Sequence, residues 1–268
     1  MDKRIEKTIL FIAKNFRGEL LLFDLAKEIG LSKFHFHRLF KKEIGITPLQ
    51  YINKLKIEHA AHFLIMYPNS KQLEVAFESG FSSPVEFART FKRFYNISPM
   101  NFRKNKLGEK KIKSQKSDIY SPIEITYLKQ QKIPISQTNL LSDNLFNLYK
   151  KLIKRIYKPA FSIGFYIDTP MHLPLNECRY FAGLENENIT NNQTYFEIEE
   201  GYYTYFNIQG DFESINTQIV EYKEQQIDPS PYQIASFIGF EKIKLPINPS
   251  DFNYFSVIRT LYLKIKRK

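Results

Sequence analysis

Apolar residues recur along the first hundred positions at helical spacing, and the pattern is written twice. Ile5, Ile9, Ile12, Ala13 and Phe16 mark one face of a helix near residues 3–16. A short pair of helices is predicted near residues 21–29 and 33–44, a long helix near 48–67, and a second short pair near 71–79 and 84–95. Thr47-Pro48 and Ser98-Pro99 read as helix starts, each a capping hydroxyl followed by proline at the first helical position. Tyr67-Pro68-Asn69 reads as a stop, and Ser98-Pro99 opens a last short helix. Ala26, Gly30, Ser32, Phe36, Arg38, Phe40, Lys41, Ile46, Thr47, Pro48 and Tyr51 return as Ala76, Gly80, Ser82 or Ser83, Phe87, Arg89, Phe91, Lys92, Ile97, Ser98, Pro99 and Phe102. The offset is 50 before the second helix of the pair and 51 within it. Helix, glycine turn, serine cap and second helix together spell a helix-turn-helix, present twice and joined by the long helix.

After residue 121 the periodicity changes. Ile123–Leu128 reads as a strand, residues 142–157 as a helix, and Phe161–Ile167 and Arg179–Leu184 as strands. Residues 194–208, 212–225, 232–238 and 256–265 repeat that order of strand, helix, strand, strand. The predicted fold class is therefore multidomain, with an all-α double helix-turn-helix domain over residues 1–105 and an α+β domain of duplicated βαββ units over 122–268. Such a duplication folds into one antiparallel-rich sheet with two helices on a face, leaving the other face free to form a groove. Residues 106–121, rich in lysine and poor in large apolar side chains, read as a basic linker.

Charge separates the two halves. Residues 1–116 hold 23 Lys+Arg against 11 Asp+Glu, while residues 117–268 hold 16 against 17. The excess points to a polyanion partner for the first half alone. A single cysteine, Cys178, excludes an intramolecular disulfide and a thiolate metal cluster. With no signal-peptide core and no apolar run of about 20 residues, a cytoplasmic protein is expected.

On the first recognition helix Phe36, Leu39 and Phe40 share the packed face, so Lys33, Phe34, His37 and Arg38 point outward. On the second, Phe87, Phe91 and Phe94 are expected to pack, leaving Ser83, Val85, Glu86 and Arg89 outside. Arginine pairs bidentately with guanine, histidine and serine bond base edges, and exposed apolar side chains meet thymine methyls. Lys41, Lys42, Lys92, Arg93 and Arg103 suit phosphates, which fix register. The competing reading of Arg38 and Arg89 is an internal salt bridge closing each subdomain. Tyr166, Tyr180, Tyr203, Tyr232, Gln233, Phe237 and Tyr262 are candidates for an aromatic effector site, since ligand pockets are concave and aromatic-lined. No phosphate-cradling glycine loop, Ser-His-Asp order or HExxH occurs, so neither an enzyme nor a cofactor or metal site is expected.

Gly80-Phe81-Ser82-Ser83, Phe87-Ala88-Arg89-Thr90-Phe91-Lys92 and Ile97-Ser98-Pro99-Met100-Asn101-Phe102-Arg103 carry a resemblance to the AraC/XylS family of bacterial transcription regulators. The resemblance covers about residues 3–104. It implies that each recognition helix enters a major groove, with Phe34, His37, Arg38, Val85, Glu86 and Arg89 facing bases. It also implies RNA polymerase as a further partner. Lys56 departs from it, standing where the family usually has arginine. No arm precedes the reader at residue 3, so a monomer is expected. The second half resembles the GyrI-like effector-binding domain of Rob-like regulators, through Gly164-Phe165-Tyr166-Ile167-Asp168-Thr169-Pro170, Asn176-Glu177-Cys178-Arg179-Tyr180, and Glu200-Gly201-Tyr202-Tyr203 through Gly210-Asp211-Phe212. That resemblance implies a small-molecule effector, received in the family by a glutamate in a Pro-aromatic-Glu segment. Pro231-Tyr232-Gln233 puts a neutral amide there, which favours neutral or anionic ligands. A small-molecule hydrolase and a protein-docking module stay open as alternatives for this half.

Overall fold

The computed structural model describes residues 1–105, 123–168, 174–190, 193–236 and 238–268. The chain divides into two compact units, Met1–Asp118 and Ile119–Lys268. The predicted linker and Thr169-Pro170 of the resemblance segment lie outside the described residues.

The first unit is helical: α1 (Lys3–Asn15), α2 (Leu22–Glu28), α3 (Lys33–Ile44), α4 (Pro48–Met66), α5 (Gln72–Glu78), α6 (Pro84–Tyr95) and α7 (residues 99–105). The duplication is visible in its chemistry. Ser32 and Ser83 cap α3 and α6, accepting from His35 N and Glu86 N. Both helices end on a left-handed residue, Gly45 and Asn96, at φ 85° and 59°. Phe36 and Phe40 meet edge to face at 5.6 Å, and Phe87 and Phe91 repeat that distance and geometry. Thr47 and Gln50 close a reciprocal capping box at the start of α4. Around α4 the buried side chains of Ile5, Ile9, Ile12, Tyr51, Leu55 and Leu64 form the core.

The two turns differ in one respect. Gly30 and Gly80 both have positive φ, at +68° and +79°, but only Gly80 is crowded: a Cβ there would stand 2.7 Å from Arg17 Cα and 2.8 Å from Arg17 O. The segment leaving α1 is thus fitted against the second turn, not the first.

The second unit contains β1 (Ile125–Leu128), β2 (Gln131–Pro134), β3 (Ser136–Asn139), α8 (Ser142–Ile153), β4 (Ala160–Tyr166), β5 (Arg179–Leu184), β6 (Tyr195–Ile198), β7 (Gly201–Ile208), α9 (Phe212–Tyr222), β8 (Tyr232–Ile234), β9 (Phe240–Leu245) and β10 (Arg259–Arg267). A single turn of π-helix, Lys223–Ile227, continues α9. The main sheet is antiparallel in the order β1-β7-β10-β9-β4-β5-β3, with β8 added beside the end of β10.

Several predicted boundaries are corrected. The stretch 194–208 is two strands, because the chain turns at Glu199-Glu200 into Gly201, whose φ is +148°. β6 pairs with β2 in a separate two-stranded sheet. β3 was not expected, since Ser136, Gln137, Thr138 and Asn139 carry no apolar signal, yet it pairs in register with β5. The strand expected at 232–238 stops after Ile234: Ser236 Oγ accepts the N–H of Ile238 and breaks the extended run, and β9 begins beyond it. The helix expected to reach 157 ends at Ile153.

Candidate nucleic-acid interface and the second unit's aromatic faces

On α3 the packed face is Phe36 and Phe40, with Leu39 half-buried; Lys33, Phe34, His37, Arg38, Lys41 and Lys42 are all exposed. Phe34 is 80 % exposed, and its repeat partner Val85 is 78 % exposed. Two apolar side chains this bare, each in the first turn of an otherwise polar outward surface, match what a thymine methyl requires. Arg38 and Arg89 are exposed, and neither closes an ion pair within 4 Å among the described residues, although the charge of Arg89 is felt by Glu86. Lys92 and Arg93 are exposed in the last turn of α6.

Four positions differ from expectation. Phe94 is 41 % exposed, because Phe91, Tyr95 and Phe102 already fill that side of the core with ring centroids 4.7 to 5.3 Å apart. Glu86 faces its own helix start: its Oε2 accepts from Ser82 Oγ at 2.6 Å and Ser82 N at 3.2 Å. The Ser82 hydroxyl holds that carboxyl below its ordinary pKa, helped by Lys56 and Arg89. Ser83 spends its hydroxyl on the cap. Arg103 turns inward and donates to Ser70 Oγ at 3.2 Å, tying α7 to the turn after α4 instead of standing free for phosphate. The departure at Lys56 has a packing role: its Nζ donates to Gly80 O at 2.5 Å, holding α4 against the second turn.

In the second unit, strand alternation sorts the predicted aromatic residues onto opposite faces. Tyr166 and Tyr180 are cross-strand partners on the side covered by α8, where Tyr180 is fully buried. Tyr232 lies on that side by its pairing with Arg267. Tyr203, Tyr262 and Gln233 point to the other side, so the seven predicted residues do not form one cluster; Phe237 lies outside the described residues. On that other side Phe240 stacks on Tyr262 at 4.9 Å and 4°, and Tyr262 on Tyr205 at 5.6 Å and 25°. The row continues through Phe196, which lies 6.1 Å from Phe240 and stacks on Phe165 at 4.1 Å. Lysines beside it are already paired, Lys264 with Glu199 and Lys242 with Glu185. Burial raises the Tyr203 hydroxyl to about 12.

The acid that tyrosines surround is Glu241, not a residue of the 231–233 segment. A sequence signal for it existed: Gly239-Phe240-Glu241 repeats Gly164-Phe165-Tyr166 at an offset of 75. Among the described residues no group of three or more His, Cys, Asp or Glu is placed to hold a metal ion, and no helix is long and apolar enough to cross a membrane.

The first unit is thus defined by two helix-turn-helix motifs on one scaffold, each presenting a basic second helix. A helix-turn-helix domain family matches residues 25–105. The TetD protein of transposon Tn10 from Escherichia coli is 37 % identical over 105 residues, covering 39 % of this chain and 75 % of TetD. The HTH-type transcriptional regulator YbfP of Bacillus subtilis is 32 % identical over 119 residues, which are 44 % of this chain and 39 % of YbfP. A solved AraC-type regulator from Chromobacterium violaceum is 25 % identical, with a TM-score of 0.35, over 38 % of this chain and 90 % of that one. The chain belongs to this helix-turn-helix family, and its domain is of AraC type.

Proposed function

We propose that the chain is a sequence-specific DNA-binding transcription regulator in which α3 and α6 each enter a major groove. The observation that carries this reading is the repeated presentation of a bare apolar residue and an exposed arginine, Phe34 with Arg38 and Val85 with Arg89, at matching places on two helices with matching caps. His37 and Lys33 join the base-facing set on α3; Lys41, Lys42, Lys92 and Arg93 serve phosphates. Because Glu86 and Ser83 are engaged at the start of α6, the second helix reads with fewer polar groups than the first. Selection of binding sites from random duplexes tests the proposal. Two preferred blocks about one helical turn apart, roughly 34 Å, are expected; an absence of any preferred sequence would refute it.

The second unit we read as a small-molecule sensor built from two βαββ units. In support, β3-α8-β4-β5 and β7-α9-β9-β10 have the same spatial order, first strand, third, second, and meet through the β4–β9 pair, with β3 and β9 standing where strands at 123–128 and 232–238 were expected. The aromatic row with Tyr203, Tyr205 and Tyr262 is the place for a ligand. Its neighbouring charges are mutually neutralised, so neutral aromatic compounds are favoured over cations. Calorimetry with two ligands that differ only in charge tests this, with Gln233→Glu expected to move preference toward the cation.

A further inference from the structure

Beneath α8 and α9, on the opposite side of the sheet from that row, lies a buried cluster that neither reading uses. Glu241, 5 % exposed, accepts at Oε1 from Tyr180 at 2.5 Å and from Tyr254 at 2.6 Å. Each hydroxyl has one proton, so Tyr180 must in turn accept from Tyr149 at 2.6 Å. Burial pushes the Tyr180 and Tyr254 hydroxyls well above their usual pKa, which keeps them donors. Gly164 leaves the space that the Tyr180 hydroxyl occupies. Arg259 completes the group. Its guanidinium lies 4.2 Å from the centre of the Tyr254 ring, its Nη1 is 3.4 Å from Glu241 Oε2, and its Nη2 donates to Gly210 O at 2.6 Å. The residue is 0 % exposed, and Nε has no hydrogen-bond partner.

A carboxylate fixed by tyrosine hydroxyls, with a ring face set beside it, has the chemistry of a receptor for a flat organic cation. Every element is present except a vacancy, since the chain supplies the cation. We propose that this cluster is a guanidinium-binding cage whose occupant is built in, so that Arg259 takes the place of a free ligand and clearing its side chain converts the cage into a receptor for small guanidinium compounds. The long Nη1 contact and the unpaired Nε agree with this: the tether imposes its own geometry, and an untethered guanidinium is free to improve on it. The same tether runs to Gly210 beside the start of α9, so the occupant also holds that helix in place. The inference concerns the helix-covered side of the sheet and stands or falls separately from the sensor reading.

The test uses the full chain, with ethylguanidinium as the probe and thermal melting as the readout. Arg259→Ala is expected to lower the melting midpoint by roughly 10 °C, as for a broken buried ion pair in a unit of this size. Millimolar ethylguanidinium is expected to restore part of that loss. It should raise neither the wild type, whose cage is filled, nor Arg259→Ala/Glu241→Gln, whose cage lacks the charge. A folded Arg259→Ala protein with no response, or an equal response in all three proteins, overturns the proposal. If Arg259→Ala does not fold, the refolded yield with and without ethylguanidinium replaces the midpoint, and no recovery likewise overturns it.

Discussion

Arg38 and Arg89 occupy equivalent places in the two copies, but their surroundings differ, because Glu86 lies near Arg89 and has no counterpart beside Arg38. Replacing either with alanine should cost about 1–3 kcal/mol of DNA affinity and relax base preference at different positions, which binding and site selection on the two variants will measure. Unchanged affinity and selectivity in both would remove them from the interface. The turn glycines offer a stability test. Gly30→Ala pays only for left-handed backbone, about 1 kcal/mol, whereas Gly80→Ala also forces a Cβ against Arg17 and should cost at least about 2 kcal/mol more in urea titration. His59 gives the pH dependence. Its Nδ1 is 3.0 Å from Ser79 Oγ, and burial, followed by the charges of Arg17 and His62, pushes its pKa well below the usual value. Below about pH 6.5 the unfolded chain takes up a proton there that the folded chain refuses, so stability falls with falling pH by up to about 1.4 kcal/mol per unit. Denaturation at pH 7.5 and 5.5 should show a steeper dependence for the wild type than for His59→Gln; equal slopes would exclude His59 as the cause.

At the scale of elements, legibility followed how local the signal was. Helices α1 to α7 lay near their expected positions because caps, proline starts and the spacing of Phe36, Phe40, Phe87 and Phe91 are written in adjacent residues. The strands were less open to reading. β3 owes its existence to β5, a partner some forty residues away, and its own residues have no apolar face to reveal it. β9 was not expected as a strand, and the one expected at 232–238 stops at Ile234 because of the Ser236 hydroxyl, which in sequence looks like any other serine. The site residues divide the same way: exposure of Phe34, Arg38 and Val85 followed from helical periodicity, while the inward turn of Arg103 depends on Ser70 in a different turn. Placement of the lysines late in α3 and α6 leads to a further prediction. Lys41→Ala or Lys92→Ala should weaken DNA binding uniformly across sequences and reduce the salt slope by about 1 each. A change of base preference instead would mean that these side chains reach the groove floor.

For the whole molecule, the charge imbalance and the division at Asp118 coincide. Residues 1–118 alone should bind DNA with an affinity that drops steeply between about 50 and 200 mM salt, and residues 119–268 should not bind; retention assays on the two fragments decide it. Binding carried by the second fragment would undo the proposed division of labour. A chain built from two similar copies invites trimming, as though each were a spare of the other. The fit of Arg17 against Gly80 says otherwise. The segment that precedes the first copy is tied to both: Asp2 N donates to Glu43 of α3, while Arg17 meets Gly80 and pairs with Glu78, so a deletion at the amino terminus would loosen the distant motif as well as the adjacent one. Distance along this chain is therefore a poor guide to how far the effect of a truncation reaches.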